Sequence, residues 1–277
     1  MTRFILKLLS PLLLLLTACG GGGGGGDGGN ACQELDAKLK NYFDTIEEKN
    51  NKIINGNVCN SNGSPIVRIH IHTADGQEYI CSGTVISSDS VLTAAHCVTN
   101  YNKNSSVYRI SVLQGEMWYT TKDWYWPKLY NSGSDREFIS EMGVDVSSYD
   151  IAIIKINGTF AVNPVPIMTK IVSGKAIIAG YGKDEHGNSG ILRAAYAKIY
   201  RNHQSVVTTR YDDTDTQVCF GDSGGPMFIR VNGQLAVYGI TSMGNGTPDC
   251  KNGDITSYTA LYNIYPFIQQ LTSVSTF

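Results

Sequence analysis

From Ile53 onward the chain is written in short apolar runs, some alternating with polar residues and some unbroken, each bounded by Gly, Asn, Asp or Ser. β-Branched and aromatic residues at a period of two suit one buried face of a pleated strand, and an unbroken run suits a strand covered on both faces. Residues 66–72, 78–86, 107–113, 150–156, 175–181, 194–200, 227–231 and 235–242 are therefore predicted strands. So many short strands with no helical period between them predict an all-β barrel or sandwich. Only the tail changes period: Tyr265, Ile268 and Leu271 share one face of a predicted helix over 262–271, with Pro266 in its first turn.

Ahead of Ile53 the texture differs. Residues 31–51 set Leu35, Leu39, Tyr42, Phe43 and Ile46 at a helical period among charges. That pattern reads as a short propeptide helix, with a solvated amphipathic helix of no special role as the alternative. Residues 20–29 are glycine with one aspartate, a composition that cannot pack and behaves as a flexible linker. At the start, Arg3 and Lys7 precede the apolar stretch 8–16, too short for a stable membrane span and suited to a secretion signal. The stretch closes on Leu16-Thr17-Ala18-Cys19, which resembles a bacterial lipobox. That resemblance implies cleavage before Cys19, lipidation of its thiol and, with Gly20 next, an outer-membrane address. Ordinary signal-peptide cleavage near Ala18, giving a secreted protein, is the alternative.

At 277 residues and 42% hydrophobic content, the chain can bury an ordinary core in one large domain or two small ones. Lys plus Arg number 22 and Asp plus Glu 24, a net charge of -2. That balance gives no global field for gripping nucleic acid, so a partner has to be sought in local sites. Seven cysteines fit an exported, oxidising compartment, since one lipidated Cys19 leaves six for disulfides. None forms a Cys-x2-Cys doublet of the kind that grips zinc, so no metal site is expected.

Three segments carry chemistry. In Cys219-Phe-Gly-Asp-Ser-Gly-Gly-Pro226, glycines around Ser223 permit a tight turn that would present its hydroxyl, with the N–H groups of Gly221 and Ser223 placed to bind an oxyanion. In Leu92-Thr-Ala-Ala-His96-Cys97, His96 is the candidate general base, because imidazole titrates near pH 6.5 and can take the serine proton. Asp150 heads an otherwise buried run, where a carboxylate needs a partner. Bonded to the imidazole it would fix the tautomer of His96, and bonded to nearby backbone it would only cap a strand.

Together these words, in the order His, Asp, Ser, resemble the trypsin/chymotrypsin family of serine proteases over residues 53–277. The resemblance implies two packed six-stranded antiparallel β-barrels with a C-terminal helix, the first over about 53–162 and the second over about 163–277. Residues 1–18 are then the signal peptide and 19–52 a lipid-anchored linker and propeptide. It implies a serine endopeptidase with His96, Asp150 and Ser223 as its triad, acting on proteins or peptides through an acyl-enzyme, as a monomer without metal or cofactor. It further implies a zymogen: an activating protease cuts after Lys52, and the new ammonium of Ile53 pairs with Asp222. By the same resemblance Cys81 pairs with Cys97 and Cys219 with Cys250, Ser242 supports the catalytic acid, and Ser242, Met243 and Gly244 line the substrate.

The chain departs from the family's pattern at several points. Cys59 lacks its usual partner region, which leaves Cys32 as the expected one. Gln217 stands at the floor of the specificity pocket, where an Asp would select Arg or Lys, and Thr256 and Met243 replace the usual glycine and tryptophan. A neutral floor cannot supply a counter-charge, so a smaller or polar residue is expected before the cleaved bond. Residues 100–146, with Trp118, Trp124 and Trp126, form either a surface loop shaping substrate access or packed core. Two rivals remain. One is a non-catalytic protease-like binding protein of the cell envelope; the other is an esterase, whose serine would sit in Gly-x-Ser-x-Gly ahead of the histidine.

Overall fold

The computed structural model describes residues 53, 56–99, 106–130, 136–139, 144–184, 186–210, 217–244, 250 and 255–277. Cys19, Cys32, Lys52, the glycine linker and the helix expected over 31–51 lie outside the described residues. In chain order the first strands are β1 (Asn57–Val58), β2 (Ile66–Thr73), β3 (Glu78–Ser87) and β4 (Ser90–Thr93), followed by the single-turn helix α1 (Ala95–Val98). Then come β5 (Val107–Gln114), β6 (Met117–Tyr125), β7 (Arg136–Ile139), β8 (Val144–Ser147) and β9 (Ala152–Ile156). The second half holds β10 (Lys175–Gly180), β11 (Arg193–His203), β12 (Val206–Arg210), β13 (Pro226–Val231), β14 (Gln234–Gly244) and β15 (Ile255–Ala260), and ends in α2 (Leu261–Leu271).

The strands close into two six-stranded antiparallel barrels. The first runs β2-β3-β4-β9-β6-β5. The second runs β11-β10-β13-β14-β15-β12 and is closed by pairing of β11 with β12. Alternation in the sequence becomes alternation in burial: Ile69 and Ile71 of β2 point inward while Arg68, His70 and His72 stay half-exposed. β9, apolar at every position but Lys155, is buried everywhere except there. Among the described strands, closure leaves neither barrel with a bare edge that could recruit another chain.

Several elements differ from the sequence-based expectation. β4, β12 and β15 are rich in Ser and Thr and were not predicted as strands; barrel closure, rather than hydrophobicity, buries them. β1 was expected with the first barrel but pairs with β11 of the second, Asn57 opposite Ala194 and Val58 opposite Arg193. Ile53 is likewise buried in the core of the second barrel, against Met168, Ile178 and Met227 among others. Pro266 lies in the interior of α2 rather than its first turn, and the buried face of that helix is Leu261, Ile264 and Ile268. The tryptophans divide: Trp118 and Trp126 are exposed and Trp124 packs on the core, so residues 107–125 are neither loop nor wholly interior.

A stretch following β9 crosses from one barrel to the other. The Val165 amide donates to the Val85 carbonyl of the first barrel, and the Met168 amide donates to Val237 of the second. A single hydrophobic cluster spans the junction, from Ile66 and Leu92 to Phe228 and Ile240.

Candidate active site

His96 sits in α1, immediately after β4. Four residues make a helix too short to hold itself, and the Cys81–Cys97 disulfide ties it to β3. Asp150 lies between β8 and β9, and only 2% of it is exposed. Its Oδ2 is 2.7 Å from Nδ1 of His96, and its Oδ1 accepts the backbone N–H of His96 at 2.8 Å. Both oxygens thus bind one residue, which fixes the ring's position and leaves Nε2 facing away from the acid.

Ser242 of β14 donates its hydroxyl to Asp150 Oδ2 at 2.6 Å, across the junction between barrels. The Thr259 hydroxyl of β15 lies 3.1 Å from the Asp150 carbonyl and 3.3 Å from that of Ser147. Burial by itself pushes the Asp150 carboxyl up. The charge of His96 and the bonds from the His96 ring, Ser242 and the His96 amide outweigh it, and the carboxyl is held below its ordinary range.

Ser223 lies in the turn before β13, half-buried, with its main chain locked to the histidine side of the junction. Its carbonyl accepts the Ser82 N–H at 2.8 Å and lies 3.8 Å from Cys97 Sγ. Gly221 has φ +100 and Gly224 φ +78, backbone conformations that residues with a Cβ rarely adopt. Gly224 is doubly constrained, because a Cβ there would collide with the Thr93 hydroxyl and the Ser82 carbonyl. The turn therefore carries Ser223 up against the segment that bears His96.

Asp222 points the other way, into the second barrel, and is 1% exposed. Its carboxylate accepts the N–H groups of Gly182 and Cys219, each at 2.8 Å. Burial pushes its pKa up to about 6 despite those bonds and the charge of Arg193. The Arg193 guanidinium is itself committed to Asp184, at 2.9 Å, in an ion pair buried on both sides.

Met243 is half-buried and Gly244 exposed at the end of β14, and Thr256 of β15 pairs with Gly244. Gln217 is 3% exposed, and its Oε1 has no hydrogen-bond partner. Cys219 and Cys250 form the second disulfide. Cys59 is disulfide-bonded, while its expected partner, Cys32, lies outside the described residues. Cys81, His96 and Cys97 cluster closely enough for a metal, but both sulfurs are joined in a disulfide, which leaves no thiolate to ligate one. Sequence reasoning missed Ser82, Thr259 and the Asp184–Arg193 pair. Only Ser82 carried a signal, its position next to Cys81.

Two closed barrels with an aspartate, a histidine and a serine turn at their junction define a chymotrypsin-like serine protease fold. The family model described as Trypsin matches residues 53–268, and the chain belongs to that family. It is similar to the urokinase-type plasminogen activator of Gallus gallus, 29% identical over 229 residues, with 70% of this chain and 52% of that protein covered. The chain thus spans about half the length of that curated relative. Among solved structures it is similar to HL collagenase, with a TM-score of 0.60 and 21% identity, covering 78% of this chain and 97% of that one. The second likeness concerns the fold alone.

Proposed function

We propose that this chain is a serine endopeptidase in which Ser223 attacks the peptide carbonyl, His96 takes and returns the proton, and Asp150 orients His96. The observation that carries the reading is the bonded series Ser242, Asp150, His96, with the Ser223 turn clamped beside it. As Ser223 attacks, the N–H groups of Gly221 and Ser223 stabilise the developing oxyanion, and His96 becomes an imidazolium paired with Asp150. The acyl-enzyme is then hydrolysed by water with His96 acting again as base.

The enzyme is made as a zymogen. Cleavage after Lys52 frees the ammonium of Ile53, which pairs with Asp222 and orders the oxyanion loop. Burial of Ile53 in the second barrel and of an Asp222 without a cationic bonding partner among the described residues supports this step. A buried carboxylate left unpaired is strained by desolvation, and an arriving cation relieves it. The uncharged Gln217, with an idle acceptor, favours a small or polar residue before the scissile bond over Arg or Lys. The disulfides suit export to an oxidising compartment, and a lipid on Cys19 would hold the enzyme to the bacterial outer membrane, with Cys32 and Cys59 keeping the prosegment attached.

A fluorophosphonate probe tests the reading, because it labels only an activated serine. Protein cut after Lys52 should be labelled and should hydrolyse casein, whereas Ser223→Ala cut in the same way and uncut Lys52→Gln should do neither. Absence of labelling in the cut wild type would favour the binding-protein alternative.

A further inference from the structure

The two residues whose N–H groups would bind the oxyanion, Gly221 and Ser223, both present their carbonyls to one side chain-bearing residue of the opposite barrel. The Ser82 hydroxyl donates to the Gly221 carbonyl at 2.8 Å, and the Ser82 N–H donates to the Ser223 carbonyl at 2.8 Å. Ser82 is itself held on every polar atom. Its Oγ accepts the Tyr181 N–H at 2.9 Å, and its carbonyl accepts the Thr93 hydroxyl at 2.8 Å. It is fully buried, so no water competes for these bonds.

Gly221 needs outside help to keep one orientation. At φ +100 it has no Cβ to restrict its torsions, and its N–H and C=O belong to separate peptide planes linked only through its own Cα. Pinning the carbonyl fixes the second plane and limits the sweep of the first, where the oxyanion donor lies. Ser82 also adjoins Cys81, whose disulfide to Cys97 braces the histidine helix. One strand position thus references both the proton acceptor and the oxyanion donors to a common frame.

We propose that Ser82 is a positioning residue for the oxyanion loop, its hydroxyl aligning the Gly221 donor without touching substrate. This inference rests on the endopeptidase reading above. The bare Cα of Gly180 beside it fits the same role, since a Cβ there would meet Ser82 Oγ at 2.9 Å and crowd Asp222. The hydroxyl therefore bridges the 180–182 segment and the 221–223 turn, the two strips of backbone that also enclose Asp222.

The test uses full-length chain cut after Lys52, with the rate of fluorophosphonate labelling measured against pH. In Ser82→Ala the plateau rate should fall about tenfold, less than the roughly hundredfold that loss of an oxyanion donor brings, while the midpoint of the acid limb stays put because His96 and Asp150 are untouched. Ser82→Thr, which keeps the hydroxyl, should recover most of the rate. An unchanged plateau in Ser82→Ala, a midpoint that moves with it, or a Ser82→Thr variant as slow as Ser82→Ala would each overturn the assignment. No labelling of the wild type would instead remove the endopeptidase reading and this inference with it. If Ser82→Ala does not fold, hydrogen exchange on the wild type decides: a protected Tyr181 amide supports the clamp, and rapid exchange there overturns it.

Discussion

Asp150 and Asp222 are withdrawn from water to almost the same degree, yet their surroundings drive them in opposite directions. Asp150 is met by a histidine ring, a serine hydroxyl and a backbone N–H, and its carboxyl falls below the ordinary range. Asp222 is met by two backbone N–H groups and a guanidinium that is bonded elsewhere, and its carboxyl rises to about 6. Burial pushes both upward, so the difference lies wholly in the donors. The first acid has its donors in place; the second has no cationic bonding partner among the described residues. In the proposed reading, a catalytic group and a switch are thus built from the same side chain at the same depth, separated by the count and charge of what points at it.

The sharpest way to break this contrast is to neutralise each acid in turn. Asp150→Asn should keep the fold but lower kcat by about ten-thousandfold, because the amide would favour the wrong imidazole tautomer. Asp222→Asn in the cut enzyme should lower kcat less, by roughly a hundredfold to a thousandfold, the range set by losing an oxyanion donor rather than the base. Steady-state kinetics on one casein-derived peptide ranks the two, and an Asp222→Asn effect as large as that of Asp150→Asn would erase the distinction.

Stability against pH separates the acids a second way. A carboxyl whose folded pKa is raised binds its proton more tightly when folded, so Asp222 lowers the stability of the uncut chain as pH climbs from 3.8 to about 6. That loss amounts to roughly 3 kcal/mol, and it should vanish in Asp222→Asn or once the Ile53 ammonium is freed. Asp150 acts with the opposite sign: its contribution is present above the ordinary carboxylate range and disappears as pH falls through its depressed value. Urea midpoints of the uncut wild type and uncut Asp222→Asn, compared across that window, should converge at low pH and separate above it. Parallel curves would refute the assignment.

The smallest effect expected is that of Ser242→Ala. It removes one of the donors to Asp150 Oδ2, worth about 1.5 to 3 kcal/mol for a bond to a charged group. The rate should fall about tenfold, with the acid limb of the pH profile moved upward as the acid loses part of its support.

What the sequence disclosed and what it hid follow a physical division. His96, Ser223 and Gly221 each stand in a short word whose residue types local geometry demands, whereas Asp150 and Ser242 drew their expected roles from the three words taken together and the resemblance they carry. Ser82 and Thr259 act through bonds to distant backbone, and apart from the place of Ser82 next to Cys81 nothing nearby distinguishes them from other strand hydroxyls. Strands were legible where side chains alone secure burial, as in β2 and β9. β6 was not, since a bulge between Thr121 and Asp123 leaves two successive charged residues outward and disrupts the alternation. β1 joins the second barrel through ladder pairing, a property of register that no composition records.

The bare Cα at position 224 sets a tolerance for the whole molecule. With the Thr93 oxygen and the Ser82 carbonyl standing where its first side-chain carbon would go, the spacing between the two halves is gauged to less than the width of a methyl group. Drift in either barrel's dimensions would register first as misalignment at the seam, before any strand unpaired. Sequence change is therefore best absorbed in the outward-facing connections, while the mating surfaces of the halves stay matched to each other.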